Sequence, residues 1–87
     1  MMPLSDLRMD QPIEYLIVVK GRLDEQRADW FNGMRIEVHR IEEISVTKLR
    51  GVVRDQAALH GLLSNLYTLS LPLISVRYIQ GDYQDKD

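Results

Sequence analysis

The spacing of apolar residues along this chain switches between a period near two and a period near 3.6, and the switches mark out its elements. From Ile13 to Leu23 the odd positions Tyr15, Ile17, Val19 and Leu23 are apolar, and so are Leu16 and Val18 on the other side. Apolar residues on both faces predict a central strand, because an edge strand alternates more cleanly. Gly21 marks a bulge or a close backbone approach. Met34 to Ile41 alternates well, with Met34, Ile36 and Val38 inward and Arg35, Glu37 and His39 outward. Glu42-Glu43 is the expected turn, although it lacks the Asn-Gly or Asp-Gly that tight hairpins prefer. In the next strand, Ile44 to Val53, Ile44 and Val46 share one face while Leu49 and Val53 lie on the other; a bulge near Thr47-Lys48 would reconcile them. Leu73 to Ile79 reads as a last strand with Ile74, Val76 and Tyr78 on one side.

The helical signal is strongest from Asp55 to Leu69. Asp55 is a good N-cap, and Leu59, Leu62, Leu63, Leu66 and Leu69 fall on one helical face, with Gly61 opposite them. Pro72 prevents continuation. A second, short helix is predicted over Asp24 to Gly33. Asp24 caps it, Gly33 takes the left-handed conformation that ends it, and Trp30 and Phe31 pin it to the sheet. At that length only tertiary packing can hold it.

Strand, short helix, strand, strand, long helix, strand is an α+β order. It predicts a ferredoxin-like βαββαβ arrangement with a shortened first helix and a four-stranded antiparallel sheet carrying its helices on one face. If residues 24–33 are instead a long hairpin loop, the fold becomes a three-stranded meander followed by a helix and a strand. One α+β domain is expected over residues 13–80, with disordered tails at 1–12 and 81–87.

Composition narrows the chemistry. A chain of 87 residues holds one domain. It contains no cysteine, which removes disulfides, thiolate metal sites and thiol nucleophiles, and suits a cytoplasmic setting. No apolar run is long enough to span a membrane, and the first residues lack the layout of a signal peptide. A net charge of −2 provides no bulk attraction to nucleic acid or anionic lipid. The cations are three lysines against eight arginines, a bias that suits an interface but follows equally from base composition.

Two stretches carry a resemblance. Gly21-Arg-Leu-Asp24 leads to Trp30-Phe31-Asn32-Gly33-Met34, and Asp55-Gln-Ala-Ala-Leu-His-Gly-Leu-Leu63 continues to Leu71-Pro-Leu-Ile-Ser-Val76. Together they resemble a family of small bacterial proteins with no assigned activity, over about residues 13–79. The resemblance implies a stand-alone small domain and transfers no chemistry. The chain departs from the family's pattern at Glu42-Glu43, where Asp-Gly is usual, and at Val52, where Pro usually follows the glycine.

Candidate chemistry is sparse. His39 and His60 are the only histidines, and no spacing brings three metal ligands together, so no metal and no cofactor are expected. Gln56, His60, Ser64 and Tyr67 form a polar row on one flank of the leucine face, a groove lining or simply a half-buried helix boundary. Ser64 and His60 lack a strained nucleophile elbow and an orienting acid, so no catalytic residue is assigned. Arg50, Gly51 and Arg54 precede a helix N-terminus, but Asp55 already caps its amides.

The predicted uncovered sheet face is the remaining candidate. It would carry Leu16, Val18, Lys20, Arg22, Arg35 and His39, joined by Lys48, Arg50 and Arg77 if the bulge falls suitably. The leading expectation is a non-enzymatic interaction or regulatory module that self-associates as a homodimer through this face; another protein is the second choice of partner. An alternative is a small dimeric ferredoxin-like enzyme of the cofactor-free monooxygenase type, with Trp30, Asn32, Gln56, His60 and Tyr67 lining a pocket between sheet and helices. A further alternative, single-stranded nucleic-acid binding, rests on Lys20, Arg22, Arg35 and Arg50. It is disfavoured because Tyr15 and Tyr78, the nearest stacking aromatics, fall on the helix side.

Overall fold

The computed structural model describes residues 8–24, 29–31 and 33–79. Four strands, β1 (Ile13–Lys20), β2 (Arg35–Ile41), β3 (Ile44–Val53) and β4 (Leu73–Ile79), and one helix, α1 (Gln56–Thr68), make an α+β unit. The strands form one sheet in the order β2-β3-β1-β4, and every neighbouring pair is antiparallel. It follows that β1 and β2 run parallel with β3 between them, and that β3 and β4 run parallel with β1 between them. The meander would have placed β2 beside β1, and it is not formed. The connection from β1 to β2 therefore crosses over the sheet, as parallel strands require. Its described part contains a 3₁₀ turn at residues 29–31 and Gly33 at φ 83°, the left-handed position expected there. Residues 25–28 and Asn32, which would complete the expected short helix, lie outside the described residues.

The core lies between the sheet and α1. Ile13, Tyr15, Ile17 and Val19 are all buried, and the residues between them are not, so β1 is inserted with its odd positions toward the helix. Leu49 and Val53 of β3, Leu59 and Leu66 of α1, Leu23 and Phe31 complete the buried cluster; Leu62, Leu63 and Leu69 pack against its margin. Phe31 is thus the core half of the predicted aromatic pair, while Trp30 is partly exposed. Val38 and Ile74, expected inward, are exposed as well. Val38 sits on the edge strand β2, whereas α1 lies over β3. At Ile74 the register between β1 and β4 slips, pairing Val18 with Ser75 but Val19 with Leu73.

That slip is the sheet's irregularity. β3 pairs without interruption with both β1 and β2, so no bulge occurs at Thr47-Lys48. Ile44 and Val46 simply face away from the helix, and Thr47, Leu49 and Val53 face it. Thr47 is fully buried; its hydroxyl donates to the Gly21 carbonyl at 2.7 Å and accepts from the Leu23 amide at 3.2 Å. This ties the crossover's first residues to β3. Further along the same strand, a Cβ on Gly51 would stand 2.9 Å from the Gly33 carbonyl oxygen, so glycine lets the crossover's end lie against the sheet.

Local chemistry sets the ends of α1. Asp55 Oδ1 accepts from the Ala58 amide at 2.7 Å as the N-cap. Ser70 takes the left-handed conformation at φ 61°, the Ser70 amide bonds the Tyr67 carbonyl, and the Leu71 amide bonds the Leu66 carbonyl. These two bonds form a Schellman stop with serine where glycine is usual. The β2–β3 turn is built the same way: Glu42 and Glu43 both have positive φ, the geometry of a type I′ hairpin, without its usual residues.

Candidate functional site: the open face of the sheet

Continuous pairing of β3 fixes which side chains meet on the face away from α1. One row crosses all four strands: Arg35 on β2, Arg50 on β3, Leu16 on β1 and Arg77 on β4. The next row holds Glu37, Lys48, Val18 and Ser75. Beyond it His39, Val46 and Lys20 are aligned, and on the other side Val52, Glu14 and Ile79. Adjacent members of a row have Cβ atoms about 5 Å apart.

Among the described residues, five cations, Lys20, Arg35, Lys48, Arg50 and Arg77, share this face with two carboxylates, Glu14 and Glu37, in a chain whose net charge is −2. Arg50 Nε donates to Glu14 Oε2 at 2.9 Å. Arg35 Nε stands 3.6 Å from Glu37 Oε2, whose other oxygen is 3.4 Å from His39 Nε2. Lys20 and Lys48 have no ion-pair partner among the described residues. Arg35 faces Arg50 directly, a like-charge cross-strand pair that disfavours the strand pairing it sits in. Leu16, Arg35, Glu37, Lys48 and Arg50 line an open depression of about 210 Å³. Leu16 and Val18 are half-buried among these cationic stems. Val46 and Ile79 are buried yet lie outside the main core cluster, as their position on this face requires. Val52, Ile41 and Ile44 are exposed.

Of the interface residues predicted from the sequence, Leu16, Val18, Lys20, Arg35 and His39 do share the face. Arg22 does not; it lines a hollow with Leu23, Asp24, Leu69 and Leu71 at the end of α1. The chain turns off the sheet at Gly21, whose φ is 111°. Lys48 and Arg50 join the face because β3 carries no bulge, and Arg77 joins it because it pairs with Leu16. Val46 and Val52 were not foreseen there, and the parity of an unbroken β3 is the signal that places them.

The predicted pocket residues are spread out. Gln56 Nε2 donates to the Tyr15 hydroxyl at 2.6 Å, joining the start of α1 to β1. His60 is solvent-exposed, Trp30 is partly exposed and Asn32 lies outside the described residues. Tyr67 is 85% exposed near the other end of the helix, about 16 Å from Gln56 along its axis. It borders an open apolar hollow of about 270 Å³ with Leu63, Leu66, Leu71, Pro72 and Leu73. At the helix N-terminus the Ala58 amide is held by Asp55, and the Gln56 amide by the Met9 carbonyl at 2.8 Å, so the chain itself occupies that anion site. Met9 belongs to the segment that the hydropathy pattern assigns to a loose tail. No group of three or more metal-ligating side chains exists among the described residues, and no helix among them is long and apolar enough to cross a membrane.

No curated protein and no solved structure matches the chain. A family model does match residues 14–77, from β1 into β4, which takes in both the core and the open face. The chain belongs to the family described as domain of unknown function DUF8691.

Proposed function

We propose that the chain is a non-enzymatic interaction module whose working surface is the open face of its sheet. The observation that carries this reading is the row Arg35–Arg50–Leu16–Arg77, in which two arginines are held directly opposite each other beside half-buried apolar side chains. Local conflicts of this kind are retained where a surface has a task beyond folding. The spread of Gln56, His60 and Tyr67 along one helix favours this reading over the pocket of a small enzyme. A ferredoxin-like fold is supported by the split strand order, in which β3 separates the parallel strands β1 and β2. A cysteine-free chain suits the reducing cytoplasm of the small bacterial proteins that its motifs resemble.

The test is the stability of Leu16→Glu and Val18→Glu in urea. Because Leu16 and Val18 are half-buried, an open face accepts either substitution for less than about 3 kcal/mol. A loss above about 3 kcal/mol would show that the face is a second core, covered by the chain's own residues, and would remove the proposal.

Exposed Val52, Ile41 and Ile44 on the same face favour a second reading, a homodimer that stacks its two sheets. Light scattering at high micromolar concentration tests it directly: a dimer that Val18→Glu dissociates supports it, and a monomer removes it.

A further inference from the structure

We infer that the open face recognises an acidic, extended segment of a partner polypeptide, whose carboxylates Arg35, Arg50 and Lys48 receive. This rests on the reading of that face as the working surface. Charge complementarity carries it. The whole chain is acidic and repels a polyanion in bulk, yet among the described residues this face concentrates five cations against two carboxylates. Guanidinium forks match carboxylates in plane and spacing. Glu14 already occupies one such position, 2.9 Å from Arg50 Nε, and so shows the geometry that a partner's carboxylate would take. The Arg50–Glu14 and Arg35–Glu37 pairs are surface pairs of small worth, so exchanging an internal carboxylate for a partner's costs little.

Spacing points to an extended ligand. Arg50 and Lys48 are alternate residues of one strand, hence about 7 Å apart on the same face. Alternate side chains of an extended peptide have the same repeat. Beside them Leu16 and Val18 offer apolar contact at that repeat on β1. A second copy is a poorer occupant, since two-fold stacking would set this excess of cations against itself. Single-stranded nucleic acid would need stacking aromatics, and among the described residues the face has none: Tyr15 and Tyr78 are paired on the helix side.

The experiment is fluorescence anisotropy of labelled poly-L-glutamate at low ionic strength, with an oligothymidylate of matched charge in parallel. The wild-type chain should bind the polypeptide more tightly than the oligonucleotide. Arg50→Glu and Arg35→Glu should each weaken binding by about tenfold or more. Arg40→Glu makes the same change of charge on β2 but on the opposite side, aligned with Ser45, and should alter binding by no more than about twofold. Circular dichroism confirms that the variants are folded. Absence of binding, an equal loss in Arg40→Glu, or tighter binding of the oligonucleotide would each overturn the inference. If any of these occurs while Leu16→Glu and Val18→Glu remain as stable as stated above, only the acidic partner is refuted. If those variants unfold, the working surface itself is refuted.

Discussion

Thr47 offers the sharpest check on how the crossover is attached to the sheet. Its side chain is wholly buried, and its hydroxyl serves two backbone groups, the Gly21 carbonyl and the Leu23 amide. Thr47→Val preserves the shape and removes both bonds. An unsatisfied buried backbone group costs about 1–3 kcal/mol. Leu23 is buried and bears that cost in full, whereas Gly21 is half-buried and can recover part of its hydration. The sum is a loss of about 2–4 kcal/mol, a large share of the roughly 5–15 kcal/mol that a domain possesses. Thr47→Ser keeps the hydroxyl and removes one methyl, for about 1 kcal/mol. Urea titrations of the three proteins, read as shifts in midpoint at constant slope, separate the two effects. A valine variant as stable as the serine variant would refute the reasoning, because the hydroxyl would then contribute nothing that packing does not.

Two further tests concern the helix and its packing. Gly61→Ala should raise stability by up to about 1 kcal/mol, since a Cβ there meets open space, while Gly51→Ala should lower it by about 1–3 kcal/mol by pressing on the Gly33 carbonyl and Met34; thermal denaturation of both variants decides. Leu66→Ala should cost about 2–5 kcal/mol and Leu63→Ala clearly less, because Leu66 is buried and Leu63 only partly so; equal losses by denaturant titration would mean that the helix is rotated from its described position.

Much of the fold was legible because it follows from strong local patterns. The leucines of α1 and the odd positions of β1 have few alternatives to burial, and the structure packs them together, with Leu59 and Leu66 buried and Leu62, Leu63 and Leu69 at the margin. Asp55 and Pro72 marked the helix ends for reasons that hold in any context. The misreadings arose where a residue's face depends on its neighbours. Val46 and Leu49 looked inconsistent in a single strand, because the pattern was read as one apolar face. β3 in fact buries Leu49 under the helix and Val46 on the open side, and no bulge is needed. Arg22 was assigned to the open face by parity alone, which ceased to apply once Gly21 turned the chain. Glu42-Glu43 was read correctly as the turn, but its left-handed geometry, like that of Ser70, carries no composition signal, since each residue stands where glycine or asparagine is usual. The cations of the open face were foreseen, but which of them stand opposite one another became visible only with the register, because they come from four separate strands.

The strand order also constrains how the chain can assemble as it is made. β1 leaves the ribosome first and is destined for the middle of the sheet, yet neither of its neighbours exists at that moment. Its pairing with β3 closes a loop from Lys20 to Val46, and its pairing with β4 must wait until Leu73 to Ile79 have emerged. The β2–β3 hairpin, joined by two residues, is the one piece of sheet that local contacts can form early. Until that hairpin captures it, β1 has apolar side chains on both faces and both edges unpaired. The most hydrophobic strand of the sheet is therefore also the one left longest without a partner during synthesis.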